Sequence, residues 1–312
     1  MRAYRMPEWP RHSLPRVPGE GEFGEIGGGQ PPKTVALWTP ARSLRHLGSS
    51  SVRIATWNLN SVSARLPRLL EWLGDSQPDV LCVQETKVAE ESFPEEEVHK
   101  LGYEVAHHGQ GRWNGVAIIS RVGLADVRRG FPGDPGFPDP QTLEARAIGA
   151  TCGPIRIWSV YVPNGRSPED PHYAYKLGWL DALTRSLKDE MGGPTPFAVA
   201  GDFNVAPTDA DVWDPTLFEG ATHVSEPERA ALVELRALGL ADVFPRPLKG
   251  DHPFTFWDYR DGAFHKGHGM RIDFVYASPG LHAAVTDAYV DREARKGKGP
   301  SDHAPVVVDL DL

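Results

Sequence analysis

The 312 residues suffice for one large domain or two small ones, and 40% hydrophobic with 24% charged residues is ordinary for a globular protein with a substantial core. No apolar run reaches the ~18 residues expected of a membrane span. A formal net charge of −9 argues against a bulk nucleic-acid coat, yet leaves room for a local basic rim around an acidic metal site.

Residues 1–50 carry 7 of the 33 Lys+Arg and 4 of the 42 Asp+Glu, so residues 51–312 hold 26 against 38. The first 50 residues also hold 7 Gly and 7 Pro, with no sustained helical or alternating period. They are expected to be a disordered extension, the alternative being a short docking arm. No apolar h-region marks a secretory signal there. Cys82 and Cys152 sit in apolar, strand-like segments without a CxxC pair, as small core residues of a reducing, cytoplasmic protein would.

From Val52 the texture changes. Residues 52–57 read as a strand, and residues 64–73 place Leu66, Leu69, Leu70 and Leu73 at helical spacing. Residues 79–84 and 115–120 read as strands, and 145–150 with 155–162 as a hairpin around Gly153-Pro154. A helix over about 171–189 carries Tyr173, Leu177, Leu180, Leu183 and Leu187 on one stripe. A short buried strand at 197–200 follows, then a helix at about 226–238 stopped by Gly239. Strands return at 271–276, 283–290 and 305–310. Without a repeat or a strict βαβ rhythm, this order suits an α/β fold of two packed sheets with helices outside.

Short polar residues fall at strand ends. Asn58 closes the first strand, Glu85 follows the second, and Asp202 and Asn204 follow the 197–200 strand. Asp273 lies inside a strand between Ile272 and Phe274, and Asp302-His303 precedes the last one. Singly, Asn58, Glu85 and the Gly201–Asn204 stretch read as turn or loop residues. Asp273 is harder to dismiss, because an unpaired carboxylate is costly inside a strand. Jointly, strand ends are where a rigid scaffold gathers distant residues into one site. Carboxylate and amide oxygens are hard ligands for Mg²⁺ or Mn²⁺, which fits metal-assisted phosphodiester hydrolysis. There is no HxxxH or Cys cluster for zinc, no GxxxxGK[ST] loop and no GxSxG elbow.

Seven segments then carry a resemblance. Trp57–Val62, Val83–Lys87, Tyr161–Gly165, Gly201–Asn204, Phe256–Arg260, Arg271–Phe274 and Ser301–Pro305 resemble, in order, those of the exonuclease III family of apurinic/apyrimidinic (AP) endonucleases. The likeness covers about residues 52–312. The wider superfamily, similar to deoxyribonuclease I, shares the Glu, Asp-x-Asn and Ser-Asp-His segments with phospholipid-headgroup phosphodiesterases and RNA deadenylases. Gln84–Lys87, Trp257–Arg260 and Arg271–Asp273 point to the DNA-repair branch. The resemblance implies a four-layered α/β sandwich, with two packed mixed β-sheets between helices.

It further implies a metal-dependent enzyme acting on double-stranded DNA, cutting 5′ to abasic sites and processing blocked 3′ ends. Glu85 resembles the principal metal ligand, supported by Asn58 and assisted by Asp302. Asp202 resembles the residue that orients or deprotonates the attacking water. Asn204 resembles the holder of that water or of a phosphate oxygen. His303, oriented by Asp273, resembles the group on the scissile phosphate, and Tyr161 a phenol near the leaving oxygen. Phe256 and Trp257 are either core or the wall of a pocket for an unstacked nucleotide. The run Arg292, Arg295, Lys296 and Lys298 is either a solvated loop or a phosphate contact. Lys87, Arg112, Asn164, Arg166 and Arg271 complete the expected DNA face. A monomer is expected.

The chain departs from the family in its first 50 residues, in a proline-rich loop at 131–141 and in a Gly-rich loop at 261–269. His265 and His268 in the latter lack a third ligand and make a poor metal site. A catalytically silent DNA-binding protein on the same scaffold is the competing reading; it would be expected to have lost Glu85, Asp202, Asp273 or His303, and all four are present.

Overall fold

The computed structural model describes residues 51–191 and 195–312. The expectation of a disordered extension over residues 1–50 lies outside the described residues.

The first half of the domain runs β1 (Ser51–Asn58), α1 (Val62–Ser76), β2 (Val80–Gln84), α2 (Glu95–His99), β3 (Glu104–His108), β4 (Val116–Ser120), β5 (Ala125–Arg129), β6 (Ala147–Cys152) and β7 (Ile155–Tyr161). The second runs α3 (Pro171–Glu190), β8 (Phe197–Asp202), α4 (Glu226–Ala237), β9 (Ala241–Asp242), β10 (Arg246–Pro247), α5 (Ala263–Lys266), β11 (Asp273–Ala277), α6 (Pro279–Ala283), β12 (Val285–Val290) and β13 (Val306–Asp311). One sheet has seven strands in the order β10-β12-β13-β1-β2-β4-β3, and the other six in the order β5-β6-β7-β8-β11-β9. Both are mixed: β1 pairs parallel with β2 and β7 with β8, among antiparallel neighbours.

Four layers follow from burial on both faces of each sheet. Ile54, Val80, Cys82 and Ile118 of the first sheet meet Ile148, Ile157, Ala198 and Val275 of the second in one apolar cluster. The alternate residues Ala55, Trp57, Leu81 and Val83 turn outward onto Leu69, Trp72 and Leu73 of α1. On the other side Trp158, Val199, Phe274 and Tyr276 pack against Trp179, Leu183 and Leu187 of α3 and Leu232 and Leu235 of α4. Doubly buried strands read as continuous apolar runs rather than as alternation, which is why the central strands are visible in the sequence.

The helices begin and end on local chemistry. Asp170 caps α3 ahead of Pro171, and Ser225 with Glu228 forms a capping box on α4. The expected stripe of α3 is rotated: Leu180, Leu183 and Leu187 are buried, but His172, Tyr175, Lys176 and Trp179 accompany them in place of Tyr173 and Leu177. The proline-rich loop lies on this helix, with Phe131 against Trp179 and Phe137 stacked on Tyr175 at centroid distances of 5.1 and 5.0 Å.

Candidate active site

Strands from both sheets end at one rim. Asn58 closes β1, Glu85 follows β2, Tyr161 and Asp202 close β7 and β8, and Asp273 opens β11. Pairing sets Asp202 opposite Tyr161 on one side and Asp273 on the other. Gly201 permits this approach, since a Cβ there would collide with the Val160 carbonyl of β7. Beneath the rim, buried Gln84 donates to Thr56 Oγ1 at 3.0 Å and Ser159 Oγ at 3.1 Å, tying the two sheets together.

The side chains then converge. Asn58 Nδ2 donates to Glu85 Oε1 and to Asp202 Oδ2, both at 2.9 Å, bridging a carboxylate from each sheet. Asn204 donates its backbone N–H to Asp202 Oδ1 at 2.9 Å and its Nδ2 to Asp202 Oδ2 at 3.3 Å. His303 Nδ1 lies 2.8 Å from Asp273 Oδ2, and its Nε2 lies 3.9 Å from Asp202 Oδ2. Glu85, Asp202 and His303 each bring one ligand atom within 4.8 Å of the others.

Burial sharpens the electrostatics. Desolvation, then repulsion from Asp273, raises the Asp202 carboxyl to about 7. For His303, burial alone would lower the imidazole, but the charge and hydrogen bond of Asp273 outweigh it and raise it to about 10. Burial likewise opposes the charge on Glu85, yet Lys87, 2.6 Å from Oε2, holds that carboxyl below its ordinary range. Burial, then the Glu85 charge, keeps the Tyr161 phenol well above its usual value.

The donor set suits a hard divalent cation on Glu85, beside the Asp202 carboxylate. The Lys87 ammonium on Glu85 shows that this corner already selects positive charge. His303, kept protonated by Asp273, does not suit such an ion as a ligand.

Several expected positions are corrected. Asn58 faces both carboxylates with its amide nitrogen, while its Oδ1 accepts the Asn60 N–H at 2.9 Å, so it bridges acids rather than offering an oxygen to a metal. Asp302 falls outside the converging group, its carboxylate held by Asn60 Nδ2 at 3.1 Å. Arg271 is no part of an exposed face: it is buried between Asp211 and Asp242, at 2.6 and 2.8 Å. Arg295 is buried too, donating to the carbonyls of Ser301 and Trp257. Trp257 turns away into a cluster with Phe254, Val290 and Ala304, while Phe256 beside it stands 4.9 Å from the His303 ring.

Arg292 donates to the Phe264 carbonyl at 2.7 Å and is half-buried. Arg112, Arg166, Lys296 and Lys298 are exposed, and Asn164 Nδ2 reaches Asn204 Oδ1 at 3.2 Å. Sequence reasoning missed Met270 and Ile272, which join Phe256 in an apolar cluster beside His303. It also missed Arg146, whose guanidinium lies 4.8 Å over the Tyr161 ring. No spacing rule exposes these, because each acts through a fold-dependent neighbour.

The pattern of the endonuclease/exonuclease/phosphatase family matches residues 55–303. Exodeoxyribonuclease III of Haemophilus influenzae is 32% identical over 82% of this chain and 98% of its own length. The structure of the 3′-5′ exonuclease NExo from Neisseria meningitidis superposes with a TM-score of 0.79 at 38% identity, covering 84% of this chain and 100% of that one. A second Neisseria NExo structure, described as a 3′ phosphatase, holds a product DNA hairpin. An AP endonuclease from Archaeoglobus fulgidus gives a TM-score of 0.77 at 36% identity over 84% of this chain and 100% of that one. With this pattern, these likenesses and the fold all in agreement, the chain belongs to the endonuclease/exonuclease/phosphatase family, among the exonuclease III-type AP endonucleases.

Proposed function

We propose that the chain is a DNA phosphodiesterase that cuts double-stranded DNA 5′ to abasic sites and processes blocked 3′ ends by exonuclease and phosphatase action. It works as a cytoplasmic monomer with Mg²⁺, for which Mn²⁺ substitutes. Residues 51–312 form the catalytic domain. The observation that carries the reading is the convergence of Glu85, Asp202 and His303 within 4.8 Å, drawn from both sheets and backed by Asp273.

A divalent ion held at Glu85 would offset charge on the phosphoryl oxygens. His303 stays an imidazolium and donates from Nε2 to a phosphoryl oxygen. Asp202, 3.9 Å from that nitrogen, receives the proton of the attacking water. Tyr161 remains a neutral phenol and donates near the leaving oxygen. Phe256, backed by the buried Met270 and Ile272, supplies an apolar wall that accepts a sugar without its base more easily than a full nucleotide. The exposed cations Arg112, Arg166, Lys296 and Lys298 bind backbone phosphates.

The test is a duplex with one abasic analogue, incubated with Mg²⁺ and then with excess chelator, against intact duplex and RNA. Incision beside the analogue that the chelator abolishes supports the reading. Cleavage of RNA alone, or incision indifferent to chelator, overturns it.

A further inference from the structure

A single ammonium group lies beneath both loops that carry the site's amides. Lys176, in the second turn of α3, is completely buried and paired with Glu228 of α4. Its Nζ also donates to the backbone carbonyls of Asn204 at 2.7 Å and Asn164 at 3.1 Å. Those residues follow β8 and β7, and their side chains meet at 3.2 Å.

Burying a lysine is costly, and replacing a buried ion pair with neutral groups is often neutral or stabilising. Stability alone therefore gives little reason for this lysine. Nor does Glu228 depend on it, because the His223 N–H and the Ser225 N–H and hydroxyl already donate to its carboxylate. Each loop carbonyl also has a second partner, His223 Nδ1 at 2.5 Å for Asn204 and Thr222 Oγ1 at 3.1 Å for Asn164, but only Lys176 grips both with one charge. One of these carbonyls belongs to Asn204, which sits in the left-handed region at φ 51°, a conformation that Asn adopts more readily than most other residues. The same Asn204 directs its backbone N–H and Nδ2 at the two oxygens of Asp202.

We infer that Lys176 is a positioning residue for hydrolysis: by holding the Asn204 and Asn164 carbonyls it fixes Asn204, whose N–H and Nδ2 aim the Asp202 carboxylate, with Asn164 braced against Asn204 Oδ1. The inference rests on the proposed role of Asp202 as the group facing the attacking water. Lys176 touches neither substrate nor ion, so its effect falls on turnover rather than on substrate binding.

The experiment uses the full chain with Lys176→Met combined with Glu228→Gln. The pair removes both buried charges together, and Gln retains a side chain suited to the capping box. The expected result is a melting temperature near wild type, KM within about twofold, and kcat reduced about 100-fold, the scale of a roughly 1 Å misplacement. Lys176→Arg, which keeps a cationic donor, should recover part of kcat. Wild-type kcat in a folded double variant, or a kcat loss matched by the same rise in KM, overturns the inference. Should the double variant fail to fold, Lys176→Gln alone replaces the ammonium by a neutral donor while Glu228 keeps its other donors. A severalfold fall in kcat at constant KM then supports the inference, and an unchanged kcat sinks it. Rates are taken as ratios to wild type on abasic duplex and on a chromogenic aryl phosphodiester. Wild type idle on DNA but active on the aryl ester would remove the proposed substrate and still decide the role of Lys176.

Discussion

Asp273 and Asp202 are partners across the β8–β11 pair, and both approach one imidazole: His303 Nδ1 lies 2.8 Å from Asp273 Oδ2 and Nε2 lies 3.9 Å from Asp202 Oδ2. The two carboxylates differ in their surroundings. Asp273 spends one oxygen on the imidazole, and its Oδ1 has no hydrogen-bond partner. Asp202 takes amide donors from Asn58 and Asn204 and is raised to about 7, first by burial and then by Asp273.

The pH profile should report this arrangement. A His303 raised to about 10 is charged below that pH and loses its proton as pH rises through it. Asp273→Asn removes the largest influence opposing burial, so the alkaline limb of kcat should move to lower pH. Loss of a positioned proton donor costs on the order of 10²–10⁴-fold in rate, and the deficit should be greatest at high pH. An alkaline limb that does not move would mean that Asp273 does not set the charge of His303.

The neighbouring aromatics should separate cleanly. Phe256→Ala strips the wall beside His303 and should lower kcat/KM on abasic duplex roughly 10-fold, the scale of one aromatic stacking interaction, with little change in melting temperature. Trp257→Ala empties part of a buried cluster and should cost about 3–5 kcal/mol of stability in denaturant unfolding. The opposite pattern would restore Trp257 to the pocket.

What the sequence makes legible follows from where each signal resides. Central strands such as β2 and β8 are buried on both faces and stand out as apolar runs, and the acids at their ends come with them. The polar edge strand β5, with only Val127 half-buried, carries no such run. Orientation is invisible as well: Phe256 and Trp257 are adjacent residues of one type, and only the bridges of Phe256 to Met270 and His303 decide which one faces the site. Arg271 reads in the sequence as a cation for DNA because its partners, Asp211 and Asp242, lie 60 and 29 residues away.

Salt dependence should divide the basic residues in the same way. Neutralising exposed Lys296 and Lys298 to Gln should weaken duplex binding and reduce the slope of log K against log salt by about 1 for each phosphate that a lysine no longer neutralises. Arg271→Met should leave that slope alone, because its guanidinium is buried. It would strand two acids instead, at a cost of about 3–5 kcal/mol in stability. Fluorescence-anisotropy titrations from low to high salt read the first effect and urea melts the second. A slope unchanged by both lysine substitutions returns that loop to a solvated surface.

Metal supplementation should separate Glu85 from Asp202. Glu85 is partly exposed at the rim and balanced by Lys87, whereas Asp202 is buried and sits opposite His303 Nε2. Glu85→Gln keeps its shape but removes a charge that a divalent ion needs, so the defect should lie mainly in metal affinity. Raising Mg²⁺, or substituting Mn²⁺, should then recover much of the activity. Asp202→Asn keeps a group of the same size but cannot accept a proton from water, and Asn58 and Asn204 would then face an amide where they now donate to a carboxylate. Extra metal should leave most of that loss, on the order of 10²–10⁴-fold, in place. Both variants should still bind abasic duplex, because the basic residues and the Phe256 wall remain. Rescue of Asp202→Asn by metal, with none for Glu85→Gln, would reverse the two roles, and full activity in both would move the reacting centre away from this rim.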